Sequence, residues 1–157
     1  MPATEIAVSR PIAIVWAGLL CGAMDITAAL IVYGHYGAKP IPLLQGIAAG
    51  VLGPRASSGG LATAALGLFL HFVIAFGAAT VFFLLSRWMP ILVQQALVCG
   101  PLYGIAVYFF MNRIVVPLSN ARKFPFNLKM MIIGVVIHIF CVGLPIALMI
   151  RKFGGAR

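Results

Sequence analysis

The sequence predicts an all-α fold: a polytopic membrane bundle of four helices, arranged as two helical hairpins, with a short interfacial or re-entrant helix between helices one and two. Three observations predict it. The 157 residues are 63% hydrophobic and 8% charged, too few polar side chains to cover a soluble globule. Four near-continuous apolar runs recur, each long enough to cross a hydrocarbon core about 30 Å thick, which takes about 20 residues at about 1.5 Å each. The basic residues gather at the ends of those runs, where they can meet lipid phosphates.

Charge narrows the partners further. Eleven Lys and Arg stand against two acids, a net charge of +9. No soluble stretch is long enough to fold and display these cations as a basic stripe, so nucleic acid is excluded and the expected partner is the bilayer, in particular its anionic lipids. Homo-oligomerisation and an accessory-subunit role both remain open. Residues 1–10 hold Glu5 and Arg10 and lack a basic leader, and the apolar run that follows is too long for a signal-peptide core, so it reads as a membrane helix.

Helix one is expected over 11–33, with Pro11 in a first-turn position where its missing N–H costs nothing, and it ends at Gly34, Gly37 and Pro40. The segment 41–53, IPLLQGIAAGVLG, is apolar but too short to span, hence interfacial or re-entrant. Helix two is expected over 61–85 and carries His71 near its middle. The turn from Ser86 to Pro90 is so short that helices two and three are expected to be antiparallel neighbours. Helix three is expected over 91–116, stopping at Pro117, and helix four over 128–150, after the polar loop from Ser119 to Asn127 and before Arg151 and Lys152.

A possible internal repeat runs through these helices. Helix one holds Gly18 and Gly22, and helix three holds Gly100 and Gly104 at the same spacing; helix two holds Gly67 and His71, and helix four holds Gly134 and His138. The order is the same in both halves, and the spacing between the second pair is shorter by about the length of the segment from Ile41 to Arg55. Two copies of one hairpin would be related by an approximate two-fold along the membrane normal. Small residues at such spacing also serve helix packing by themselves.

Depth can be counted from each helix centre. Asp25 lies about three residues past the middle of helix one, His71 about two before that of helix two, and His138 about one before that of helix four. With alternating helix direction these displacements point to one side of the membrane, so the three groups share a depth. Each shares a face with small residues: Gly18, Gly22 and Ala29 with Asp25, Gly67, Ala75 and Ala79 with His71, and Gly134 and Cys141 with His138. Small residues mark the helix-facing side, so one intramembrane polar site of Asp25, His71 and His138 is expected in the interior.

Several kinds of chemistry fit such a site. The groups could be interhelical hydrogen-bonders that fix bundle geometry, could relay protons or respond to pH, or could bind a divalent metal. A b-type haem with His71 and His138 as axial ligands is a further alternative, although no cofactor is required. Cys21, Cys99 and Cys141 lack any CxxC pattern and read as reduced packing residues, with Cys21 and Cys141 able to add soft ligands beside Asp25 and His138. Arg113, next to Asn112, is expected to snorkel to the interface or to reach back as counter-ion to Asp25. No catalytic triad, nucleotide loop or HExxH motif is present.

The Gly-rich first helix, the histidines that follow glycines in helices two and four, and Pro117-Leu118 at the end of helix three together resemble the YagU-like bacterial inner-membrane proteins. The resemblance implies an inner-membrane location and an association with acid tolerance, and supplies no catalytic residue. The charge rule is nearly balanced, with Arg10, Arg87, Arg151, Lys152 and Arg157 on the side of the termini and Lys39, Arg55, Arg113, Arg122, Lys123 and Lys129 opposite. The free amino terminus and an intramembrane Arg113 tip it towards cytoplasmic termini. Reporter fusions at the two termini should therefore give the same cytoplasmic signal, and opposite locations for the two would rule out four spans.

Overall fold

Inside hydrocarbon every backbone N–H and C=O needs a partner within the protein, which apolar segments meet by becoming helical. The computed structural model describes residues 3–154, with side chains described from Pro11 onward; Glu5, Arg10 and Arg157 as charged groups lie outside the described residues. No strand occurs among them. The helices are α1 (Ala3–His35), α2 (Pro40–Leu52), α3 (Gly60–Trp88), α4 (Ile91–Gln94), α5 (Ala96–Leu118) and α6 (Leu128–Phe153), with a 3-10 turn at Gly53–Ser58. Pro11–His35 of α1, together with α3, α5 and α6, are each long and apolar enough to cross a membrane. The chain is thus a helical membrane protein with four helices able to span.

The ends of these helices run past the apolar cores. α1 continues to His35 before Gly37 turns the chain with φ 86°, α3 continues to Trp88 and α6 to Phe153. The expected third helix is divided, because Gln95 (φ −105°, ψ 44°) separates the short α4 from α5. Two wide π turns interrupt the later helices, Met111–Val115 in α5 and His138–Gly143 in α6. Each is followed two residues later by a proline, Pro117 or Pro145, which cannot donate to the preceding turn. The N–H of Val116 reaches Met111 and that of Leu144 reaches Ile139, so the ladder widens just where the proline breaks it.

α1 packs against α3 and α6, α5 against α6, and α2 along α3. This differs from the expected adjacency of the second and third spans. α4 occupies the turn between them and packs on both α5 and α6, so α5 reaches α3 through the side chain of Tyr103, whose hydroxyl donates to the Ala78 carbonyl at 2.7 Å. The apolar core lies towards the end where the chain terminates, with Phe82, Ile146, Ile150 and Cys21 fully buried among Ala13, Ala17, Ala79, Ala96 and Ala147. Gln45, itself buried, fastens α2 to α3 by donating to the Gly60 carbonyl at 2.9 Å and the Thr63 hydroxyl at 3.3 Å. Asn120 ties the following loop to α2 through the Gly50 and Val51 carbonyls.

Glycines set how near the helices come. Gly18 and Gly22 lie under the rings of Phe76 and Phe72 on α3, Gly100 and Gly104 face the α6 backbone at Gly143 and His138, and Gly134 lies under the Tyr108 ring. Gly67 meets the Leu44 carbonyl of α2, and Gly143 meets the Gly100 carbonyl. A methyl at either of the last two would strike backbone, which cannot rotate away. Gly67→Ala and Gly143→Ala should each destabilise the protein by about 1–3 kcal/mol. Gly77→Ala, with open space around it, should be neutral or slightly stabilising. Thermal unfolding in detergent checks both; equal behaviour of all three variants would contradict this packing.

Candidate functional site

Above the apolar core, α1, α3 and α6 each contribute one ionisable side chain to the same point. His71 Nδ1 lies 4.0 Å from Asp25 Oδ2, and His138 Nδ1 lies 4.0 Å from Asp25 Oδ1. A single carboxylate therefore sits between two imidazoles. Asp25, His71 and His138 are 19, 12 and 20% exposed as side chains, so the group is largely enclosed by the bundle.

The hydrogen bonds around the site settle where the ring protons are. His71 Nε2 is 2.9 Å from the Gly22 carbonyl, which can only accept, so Nε2 carries a hydrogen and donates it. The approach is possible because Gly22 has no side chain to hold α3 away. A neutral His71 then turns the bare lone pair of Nδ1 towards the carboxylate. A proton placed on that nitrogen would turn an N–H towards the carboxylate instead. His138 is wired the other way: its Nδ1 donates to the Gly134 carbonyl of its own helix at 2.9 Å and turns the same edge to Asp25. Neutral His138 is thus satisfied as it stands, and its Nε2 can take a further proton.

Chemically, the carboxylate stands where it can balance the charge of a proton placed on either imidazole. The 4.0 Å separations exceed a hydrogen bond, so direct transfer requires the groups to close by about 1 Å or a bridging water. His138 is also the first residue of the π turn, a local irregularity that recurs at functional sites.

The other expected participants take different places. Arg113 is exposed and Asn112 donates to the Tyr108 carbonyl at 2.9 Å; among the described residues the ionic neighbours of Asp25 are the two histidines, so Arg113 is not its counter-ion here. The Cys21 thiol is buried against the Gly18 and Ala75 carbonyls, and Cys141 is half-buried. Among the described residues no three His, Cys, Asp or Glu side chains are arranged to hold a metal ion.

Two features were not anticipated from the sequence. The Tyr108 ring packs edge-on against His138, with centroids 5.2 Å apart. Tyr108 also lines a cavity of about 1280 Å³ at the loop end of the bundle, between the end of α1, the start of α2, the end of α5 and the start of α6. The aromatic residue in a helix-facing position was the available signal for Tyr108; the cavity depends on how α2 and the loop from Asn120 to Asn127 fold back, which no local pattern specifies.

The opposite wiring of the two histidines gives a spectroscopic expectation. Nitrogen-15 NMR of the labelled protein near pH 8 should show Nε2–H for His71 and Nδ1–H for His138, assigned with His71→Gln and His138→Gln. The same tautomer at both positions would contradict the hydrogen-bond pattern.

Comparison of the chain with family models, with characterised proteins and with solved structures gives no match, so the geometry itself carries the functional reading.

Proposed function

We propose that this is a small inner-membrane protein, bacterial by its resemblance, whose bundle responds to protonation of the site formed by Asp25, His71 and His138. The observation that carries the reading is the Asp25 carboxylate, 4.0 Å from an imidazole nitrogen of each histidine. Histidine is the side chain that changes charge between about pH 5 and 8, and here each site imidazole stands 4.0 Å from a partly buried acid on a neighbouring helix. Protonation therefore alters how strongly α1 is drawn to α3 and α6. Such coupling suits a proton-linked transporter or a pH sensor and involves no covalent step.

The placement of Gly22 against α3 and of Gly104 against the His138 backbone supports reading the two hairpins as copies of one unit. α2, too short to span and pinned to α3, is read as the re-entrant element, and the termini as cytoplasmic.

The reading predicts the sign of a pH effect. Removing the carboxylate leaves protonated imidazoles without an anion in a low-dielectric bundle, so Asp25→Asn should lose stability relative to wild type increasingly as pH falls from 8 to 5. His71→Gln and His138→Gln should reduce the pH dependence, and the double change should add little to either, as expected for one coupled site. Thermal melts of detergent-extracted protein across that range decide the matter. Destabilisation of equal size at every pH would assign the three residues a packing role instead.

A further inference from the structure

The cavity beside Tyr108 has a composition that the proton site does not explain. Lys39, Arg113, Arg122 and Lys123 line it, and among the described residues no acidic one does. Among the described residues the one acidic side chain, Asp25, does not line it, and of the four cations Arg122 lies over the ring of Phe124, 5.4 Å from its centroid. Asn127, which also lines it, has its carboxamide oxygen engaged in capping α6 by accepting from the Met130 N–H at 3.1 Å. Apart from Asn112 and the tyrosines Tyr33 and Tyr108, the remainder of the wall is apolar, with Leu43 from α2, Phe109 and Val116 from α5, and Met130 and Met131 from α6. Cations at helix ends lie at the level of the membrane interface, while the apolar wall extends along the helices below them.

We propose that this cavity binds one acidic amphiphile, a molecule with a phosphate or carboxylate head and an acyl tail. The head is held by Arg113, Arg122, Lys39 and Lys123, for which charge-assisted hydrogen bonds to an oxyanion are the strong ones available. The tail lies against Leu43, Phe109 and the two methionines, residues that adapt to a flexible chain. At about 1280 Å³ the space exceeds the usual range of small-molecule sites, about 300–1,000 Å³, and an inorganic anion would leave most of it empty. Tyr108 forms part of both the cavity wall and the packing around His138, so an occupant touches the residue that touches the proton site. The proposal rests on the proton-responsive reading only for this last coupling, which makes the amphiphile the ligand whose binding senses the charge on His138.

The test uses the full chain in nanodiscs of zwitterionic lipid, with bound ligand counted by native mass spectrometry. The probes are oleate, phosphatidylglycerol, hexadecanesulfonate, oleyl alcohol and inorganic phosphate. Saturable binding of one molecule of oleate or of phosphatidylglycerol is expected, with oleyl alcohol and phosphate weaker by about tenfold or more. Preference for oleate identifies a free fatty acid as the source, and preference for phosphatidylglycerol a bilayer lipid. Arg113→Gln with Arg122→Gln should weaken binding by about tenfold or more, while Arg87→Gln at the other end of the bundle should not change it. Oleyl alcohol binding as tightly as oleate, or indifference to the double change in a protein that melts like wild type, would overturn the proposal. Hexadecanesulfonate, whose charge is constant, separates the two readings: binding that is the same from pH 5 to 8 in wild type and Asp25→Asn removes the coupling and leaves the site, whereas a pH-dependent melt without any binding removes the site and leaves the proton reading.

Discussion

An ionised carboxylate inside a hydrocarbon bundle costs several kcal/mol unless something of opposite charge or a proton meets it, and Asp25 has two imidazoles for that purpose. Much of the architecture follows from bringing those rings to it. α1 has to pack against both α3 and α6, and it does; α5 and α2 are attached to the outside of that trio, on α6 and α3 respectively. The approach on the α3 side depends on Gly22, whose main chain is bare enough for His71 to donate to it. On the α6 side it depends on the carbonyl of Gly134, which holds the His138 ring by its Nδ1 edge. Two backbone contacts thereby set which nitrogen of each neutral ring carries the hydrogen.

Proline and glycine shape the later two spans. Pro117 and Pro145 each follow a widened turn, and the one in α6 begins at His138 itself, so the site histidine lies at the point where the helix is least regular. Regular helix below it carries the well-packed core of Phe82, Ile146 and Ile150. The cavity at the opposite end opens where α2, fixed by Gln45 and Asn120, leaves room between the two hairpins.

The parts of this arrangement that were legible in the sequence are those set by composition and by one-dimensional counting. Four long apolar runs imply four helices able to span, and counting residues from helix centres put Asp25, His71 and His138 at one depth, where small neighbours marked the inward face. The neighbour relations of the spans were not legible in the same way. The short turn after α3 suggested that α3 and α5 pair, but α4 fills that corner and α5 turns to α6, a choice made by the Gly100, Gly104 and Gly143 contacts across two helices. The interior prolines signalled helix disturbance, yet the resulting π turns depend on which carbonyl is within reach. Arg113, expected to snorkel outward or else to reach back to Asp25, is exposed, and among the described residues the ionic neighbours of Asp25 are the two histidines.

The central claim is that the charge on the two histidines and the state of the Asp25 carboxyl form one coupled system. Infrared difference spectroscopy tests it most directly, because the chain has only two acidic side chains, and subtracting Asp25→Asn in a Glu5→Gln background isolates the Asp25 signal. The account predicts a change in the Asp25 carboxyl band over the range from about pH 5 to 8, where imidazole gains charge, and loss of that change when both His71 and His138 are replaced by Gln. An Asp25 band that is silent over that range, or that changes identically without the histidines, would contradict it.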